Sequence, residues 1–219
     1  MKRTKIVATI GPASKDHEVM KNMIQEGVDV VRLNFSHGSH EAYNDIIHTV
    51  RKIDEEIGSS TAILADLQGP KLRVGELPEE GIELVAGAEI IITTSTDVYS
   101  EGRITTNYTS FASDVQVGER VLLDDGKISL KVVETNGKDE VKLVVRYGGI
   151  LTSKKGINLP NTKISLPSLT PKDLKDLEFA LEMDVDWIGL SFVRTAKDIM
   201  DLKEIIASRE KHSLVVAKI

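Results

Sequence analysis

Arg32, Asn34, Ser36 and His37 alternate with Val31, Leu33 and Phe35 in the stretch VVRLNFSHG, residues 30–38. The apolar half suits a buried strand, and the polar half ends it on a guanidinium, an amide, a hydroxyl and an imidazole. A guanidinium inside an apolar strand is costly to leave unpaired. Either an acid such as Asp29 or Asp66 neutralises Arg32, or it is a fork-shaped donor for a phosphate or carboxylate. Asn34 and Ser36 are turn formers or oxygen ligands, and His37 is a surface or capping histidine or a ligand contact. Asp66 ends a second apolar run, TAILAD, and LQGPKLRVG follows it with Lys71 and Arg73. Lys154-Lys155-Gly156 reads as a basic turn, and Asp124-Asp125-Gly126 reads as hairpin chemistry. Lys218 is less ordinary, because it stands in the apolar run LVVAKI. Cations suited to phosphate, together with carboxylate and hydroxyl oxygens, point to phosphoryl transfer, where positioning and charge neutralisation do most of the work.

These residues need elements to hold them. From residue 1 to 69 short apolar runs alternate with helix-period segments. KIVATIG reads as a strand, and Ser14 as the cap of a helix with Val19, Met20, Met23 and Ile24 on its apolar face. After VVRLN comes a helix with Tyr43, Ile46, Ile47, Val50 and Ile53 inward, ending near Gly58. Between 70 and 167 the helical period disappears, and β-rich runs are separated by turns such as DDGK and TNGKDE, as in a small all-β barrel or sandwich. Helical grammar returns in 168–219. Thr170-Pro171 caps a helix with Leu174, Leu177, Ala180 and Leu181 as its stripe. WIGLSFV is a strand, Thr195 caps a helix facing Ile199, Leu202, Ile205 and Ile206 inward, and LVVAKI is a last strand. Strands separated by helices imply a parallel sheet. The sheet is either doubly wound or part of a (β/α)8 barrel. No G-x-G-x-x-G follows a strand, and polar groups recur at strand ends (Thr9, Asn34, Asp66, Ser191, Lys218), which favours the barrel.

Composition sets outer bounds. Apolar residues are 41% and charged residues 28% of 219, as in ordinary globular chains. The net charge of -6 argues against nucleic acid as the main partner. The absence of cysteine excludes disulfides and thiolate chemistry and fits a cytoplasmic protein. No apolar run approaches the ~20 residues of a membrane span, so no membrane partner is expected, and the N-terminus lacks the pattern of a secretory signal.

TIGPAS, RLNFSHG, GPKLRVG, LLDDGKISL, KKGINLP, SFVR and AKI occur in the order and spacing of pyruvate kinases, and the chain resembles that family along its whole length. The resemblance implies an α/β fold: part of a (β/α)8 TIM barrel with an inserted all-β lid. It also implies conversion of phosphoenolpyruvate and ADP to pyruvate and ATP in glycolysis, and homotetramers at full length. By the same resemblance, Arg32 matches the arginine on the transferring phosphate, and Lys218 the lysine that stabilises that group in the transition state. Asn34, Phe35, Ser36 and His37 fall in the nucleotide-contacting stretch, and Arg73 and Lys155 match cations on the nucleotide phosphates. Asn34, Ser36, Asp66 and the backbone at Leu67 match ligands of a monovalent cation. The potassium-dependent branch reads D-T-K-G-P-E where this chain has Asp66-Leu67-Gln68-Gly69-Pro70-Lys71, so the Lys71 ammonium is expected to replace K⁺. In the family the acidic Mg²⁺ ligands follow AKI, past Ile219. The chain is therefore expected to be an inactive N-terminal fragment with the lid whole, the barrel partial and some apolar surface exposed. The alternatives are a non-catalytic short form that binds nucleotide or phosphoenolpyruvate, and another phosphoenolpyruvate-using barrel enzyme.

Overall fold

The computed structural model describes residues 4–95 and 98–219, so the first three residues of the N-terminal segment lie outside the described residues. The chain divides into two compact units, Met1–Pro70 with Pro167–Ile219, and Lys71–Leu166. Each has its own apolar core.

The first unit alternates strand and helix. It runs β1 (Val7–Thr9), α1 (His17–Gln25), β2 (Val30–Asn34), α2 (His40–Ile57) and β3 (Ala62–Asp66) before the chain enters the second unit. All neighbouring pairs in its five-stranded sheet are parallel. After β3 the next strand in the sheet is the first one formed when the chain returns, so spatial order follows chain order throughout. A doubly wound sheet reverses direction at a switch point. This one does not, and it winds as barrel strands do, with the strand C-termini on one side. The buried residues Val31, Leu33, Ile63 and Ala65 meet the inward face of α2, where Tyr43, Ile46, Ile47, Val50 and Ile53 are all buried as their spacing predicts.

The caps hold with one correction. Asp16, not Ser14, caps α1: its carboxylate accepts from the Glu18 and Val19 amides, while the Ser14 hydroxyl closes a turn with Gly11. Gly58, at φ 68°, ends α2 in the left-handed conformation that suits glycine.

In the second unit the strands are β4 (Ile82–Leu84), β5 (Glu89–Thr93), β6 (Arg103–Thr105), β7 (Arg120–Leu123), β8 (Ile128–Thr135), β9 (Glu140–Tyr147), β10 (Gly149–Leu151) and β11 (Ile157–Asn158). A six-stranded sheet has the order β11-β7-β8-β9-β5-β6, and β10 pairs with β4. One short helix, α3 (Phe111–Asp114), interrupts the strands. Tight turns join β7 to β8 and β8 to β9, with Asp124, Asp125, Gly126 and Gly137 at positive φ as the sequence requires.

Back in the first unit come α4 (Pro171–Glu182), β12 (Trp187–Leu190), α5 (Ala196–Ser208) and β13 (Leu214–Ala217). Thr170 and Thr195 form reciprocal capping boxes with Asp173 and Asp198. The stripe expected on α4 is shifted. Leu177, Ala180 and Leu181 are buried, but Leu174 is exposed, and Asp173 and Asp176 take the buried positions one turn earlier. Those two carboxylates are buried because they hold neighbouring loops, as described below. The outer strands β1 and β13 expose Val7, Leu214 and Val216.

Candidate functional site

All five strands of the first unit deliver polar groups to one point. Asp66, at the end of β3, is only 3% exposed, yet it carries a carboxylate. Its Oδ2 accepts from Arg32 Nε at 2.8 Å and from Arg32 Nη2, across the β2–β3 pairing. Its Oδ1 accepts from Lys218 Nζ at 2.6 Å, from just beyond β13. The same ammonium donates to Ser191 Oγ at 3.0 Å, and that hydroxyl donates to the Leu67 carbonyl at 2.6 Å. Arg32 also donates to Thr9 Oγ1 at 2.8 Å. Three of the five N–H bonds of Arg32 are thus engaged, and two face no partner among the described residues. The side chains of Arg32 and Lys218 stay 29% and 43% exposed, so the cluster presents two cations to solvent above one buried acid. Both readings of Arg32 coexist: it is ion-paired, and it retains donors for an anion.

The loop after β2 is built beside this cluster. Asn34 Oδ1 accepts from the Ser36 amide at 3.2 Å, and the Asn34 carbonyl accepts from the His37 amide and from the Tyr43 hydroxyl at 2.7 Å. Burial raises the Tyr43 phenol above its ordinary range, and the Asp176 charge adds to this. Gly38 has φ 99°, and a Cβ there would stand 2.8 Å from the Tyr43 hydroxyl, so only glycine fits the turn. Phe35 is buried, its amide donates to the Asp66 carbonyl, and its own carbonyl accepts from Lys172 at 2.7 Å. Its side chain is therefore core, packed with its ring tilted against Tyr43 at 4.4 Å between ring centroids. A mainly apolar pocket of about 420 Å³ opens beside the loop, lined among others by Ile10, Pro12, Lys15, Asn34, His37 and Tyr43.

Asn34 Oδ1, both Asp66 oxygens and the Leu67 carbonyl all accept hydrogen bonds from protein groups, and two cations already balance the Asp66 charge. No group of three or more His, Cys, Asp or Glu residues that could hold a metal ion occurs among the described residues.

The second unit gathers its own cations. Arg73 bridges Gly156, its guanidinium donates to the Lys154 carbonyl, and Asn107 receives its amide at 2.8 Å. Lys155 Nζ lies 2.9 Å from Asp124 Oδ1. Hydrogen bonds from Lys127 and Lys155 hold the Asp124 carboxyl below its usual range. Burial lowers the Lys71 ammonium, and the positive charge of Arg73 lowers it further, against a weaker pull from Asp125. A cation destabilised in this way gains from an anion nearby.

Comparison with known proteins decides the family. The family model described as pyruvate kinase, barrel domain, matches residues 1–219. The chain belongs to the pyruvate kinase family. Among its relatives, the pyruvate kinase of Staphylococcus haemolyticus (strain JCSC1435) is 40% identical over 217 residues, 99% of this chain and 37% of that protein. The pyruvate kinase of Staphylococcus aureus (strain USA300) is 40% identical over 220 residues, covering 100% of this chain and 38% of the relative. The chain thus spans less than two-fifths of the length of these pyruvate kinases. No described helix is long and apolar enough to cross a membrane.

Sequence reasoning singled out Arg32, Asn34, Ser36, His37, Asp66 and Lys218, and the structure places them in or just after β2, at the end of β3 and just beyond β13. It missed the supporting roles of Lys172, Asp173, Asp176 and His40. Polar residues on a helix read as solvated surface, and the one available signal was the acidic pair Asp173 and Asp176 on the buried side of α4.

Proposed function

We propose that the whole protein is a pyruvate kinase that moves a phosphoryl group from phosphoenolpyruvate to ADP in glycolysis. The observation that carries this reading is the Arg32–Asp66–Lys218 cluster, two partly exposed cations fixed on one buried carboxylate at the strand ends. In the reaction the bond from phosphorus to the enol oxygen breaks and a bond to a β-phosphate oxygen of ADP forms. The enolate then takes a proton at carbon to give pyruvate. Arg32 and Lys218 bind and neutralise the transferring group, which is where most of the catalysis of such transfers arises. Asn34, Ser36 and His37 contact the nucleotide, and the apolar pocket beside them suits a purine ring. Phe35 supports this loop from the core. By the family resemblance, Arg73 and Lys155 are cations for the nucleotide phosphates, and the second unit corresponds to the family's inserted lid. The reading places the protein in the cytoplasm and makes its full-length assembly a homotetramer.

Mg²⁺ would supply charge neutralisation on the phosphates when bound. K⁺ is not required in this reading, since Lys71 stands where the potassium-dependent branch has Glu. The test is coupled pyruvate release by the full-length protein with phosphoenolpyruvate, ADP and Mg²⁺ but no K⁺. Turnover that needs all three supports the reading, and ADP-independent consumption of phosphoenolpyruvate overturns it.

A further inference from the structure

Lys172, Asp176 and Phe179 stand at i, i+4 and i+7 on α4 and form one stripe facing the loop after β2. Lys172 Nζ donates to the Phe35 carbonyl at 2.7 Å and to Asp176 Oδ2 at 2.5 Å. The other oxygen of Asp176 lies 2.8 Å from His40 Nε2 at the start of α2, and the His40 ring stacks on Phe179 with centroids 4.4 Å apart. One turn away, Asp173 Oδ1 accepts the Gly69 amide at 3.0 Å, in the loop that follows Asp66. Both loops that carry candidate site residues are therefore tied to the first two turns of α4.

Helix stability does not explain Lys172. It is the second residue of α4, where a positive charge opposes the helix dipole and an acid would be favoured. The Asp176 side chain is only 6% exposed, so its charge is costly there unless matched by Lys172 and His40. What this arrangement secures is the backbone of residues 35–40.

We propose that Lys172 and Asp176 are positioning residues for nucleotide binding: they fix the loop bearing Asn34, Ser36 and His37 in its ligand-ready shape through the Phe35 carbonyl and His40. This rests on the assignment of that loop to the nucleotide. Their hydrogen bonds go to Phe35, to His40 and to each other, and none goes to Arg32, Asp66 or Lys218.

The test is steady-state kinetics of the full-length protein carrying Lys172→Met, Lys172→Arg, Asp176→Asn or, as a control in the loop itself, Asn34→Ala. Lys172→Met and Asp176→Asn each raise KM for ADP about tenfold, while kcat and KM for phosphoenolpyruvate stay within about threefold. Lys172→Arg, which keeps a donor and a charge, restores most of the ADP affinity. A general loss of structure would lower kcat and both affinities together, without rescue by arginine. Asp176→Asn preserves volume and the His40 contact, and it carries the test if Lys172→Met does not fold. The inference is overturned if Asn34→Ala raises KM for ADP and the α4 variants leave it unchanged. If Asn34→Ala also leaves it unchanged, and hydrogen exchange at residues 35–40 quickens in Lys172→Met, the α4 contacts hold the loop but the nucleotide assignment fails.

Discussion

Lys218 Nζ lies 2.6 Å from Asp66 Oδ1 although 152 positions separate the two residues. The second unit and two helices intervene in sequence, and the contact forms because β3, β12 and β13 are successive parallel neighbours ending on the same side. A carboxylate buried to this degree is tolerable only with such partners.

Asp66→Asn is expected to destabilise the first unit by about 2–3 kcal/mol, less than for a fully buried pair because both cations reach solvent. Lys218→Met is expected to cost less, since Arg32 still neutralises Asp66. The chain's single tryptophan, Trp187, lies in β12 of this unit, so urea unfolding followed by its fluorescence measures the difference. Equal costs for the two variants would contradict this ordering.

Gly69 and Gly58 share a φ of 68° but differ in the space around them. A Cβ on Gly69 would stand 2.9 Å from the Phe192 ring and 3.1 Å from Ser191, whereas one on Gly58 meets nothing within 4 Å. Gly58→Ala should therefore cost about 1 kcal/mol for backbone conformation alone, and Gly69→Ala roughly 1–2 kcal/mol more. The same fluorescence-monitored unfolding compares them. Gly69→Ala also presses on Ser191, which bonds Lys218 and Leu67, so it is expected to lower kcat where Gly58→Ala does not.

Tyr108, buried in the second unit, donates its hydroxyl to Asp114, and both oxygens lie near the Ser165 amide. Burial raises its phenol above the ordinary value of 10.0, and the bond to Asp114 raises it further. Above pH 10 the unfolded chain therefore loses this proton first and the folded chain retains it. The stabilisation is complete below that pH and is lost as pH rises through the folded value. Tyr108→Phe should cost about 1–2 kcal/mol at pH 8, and that gap should narrow in alkali. Urea unfolding followed by circular dichroism from pH 8 to 11 is the check, and a gap that widens with pH would refute the assignment.

Lys71 is a cation weakened by burial and by Arg73. If its charge replaces K⁺, full-length activity should change little on adding KCl. Lys71→Glu should create a K⁺ requirement, with activity low in its absence and restored by KCl. Equal K⁺ stimulation of both proteins would refute this.

The first unit was legible because its rules are local and repetitive. Apolar spacing on α2 placed all five buried residues, Thr170 and Thr195 announced their helices, a guanidinium inside an apolar strand marked Arg32, and polar residues at strand ends marked Asn34, Asp66 and Lys218. Ser14 misled because two oxygen-bearing side chains, Ser14 and Asp16, compete to start α1, and only the local geometry chooses between them. The shift on α4 was hidden for a tertiary reason: Asp173 and Asp176 are buried by loops that approach from β3 and β2. No periodicity reports that approach. Nor does sequence reveal that the oxygens matching a cation site are already hydrogen-bonded, since that depends on Arg32, Ser36, Ser191 and Lys218 converging.

The most direct test of the Arg32–Asp66–Lys218 assignment is pyruvate release by the full-length protein with and without Lys218→Met, at saturating phosphoenolpyruvate, ADP and Mg²⁺. If Lys218 stabilises the transferring phosphoryl group, kcat falls by about 10²–10³ while KM for ADP stays near its original value. A kcat within a few-fold of the unsubstituted protein would mean that the Lys218 ammonium serves only to neutralise Asp66.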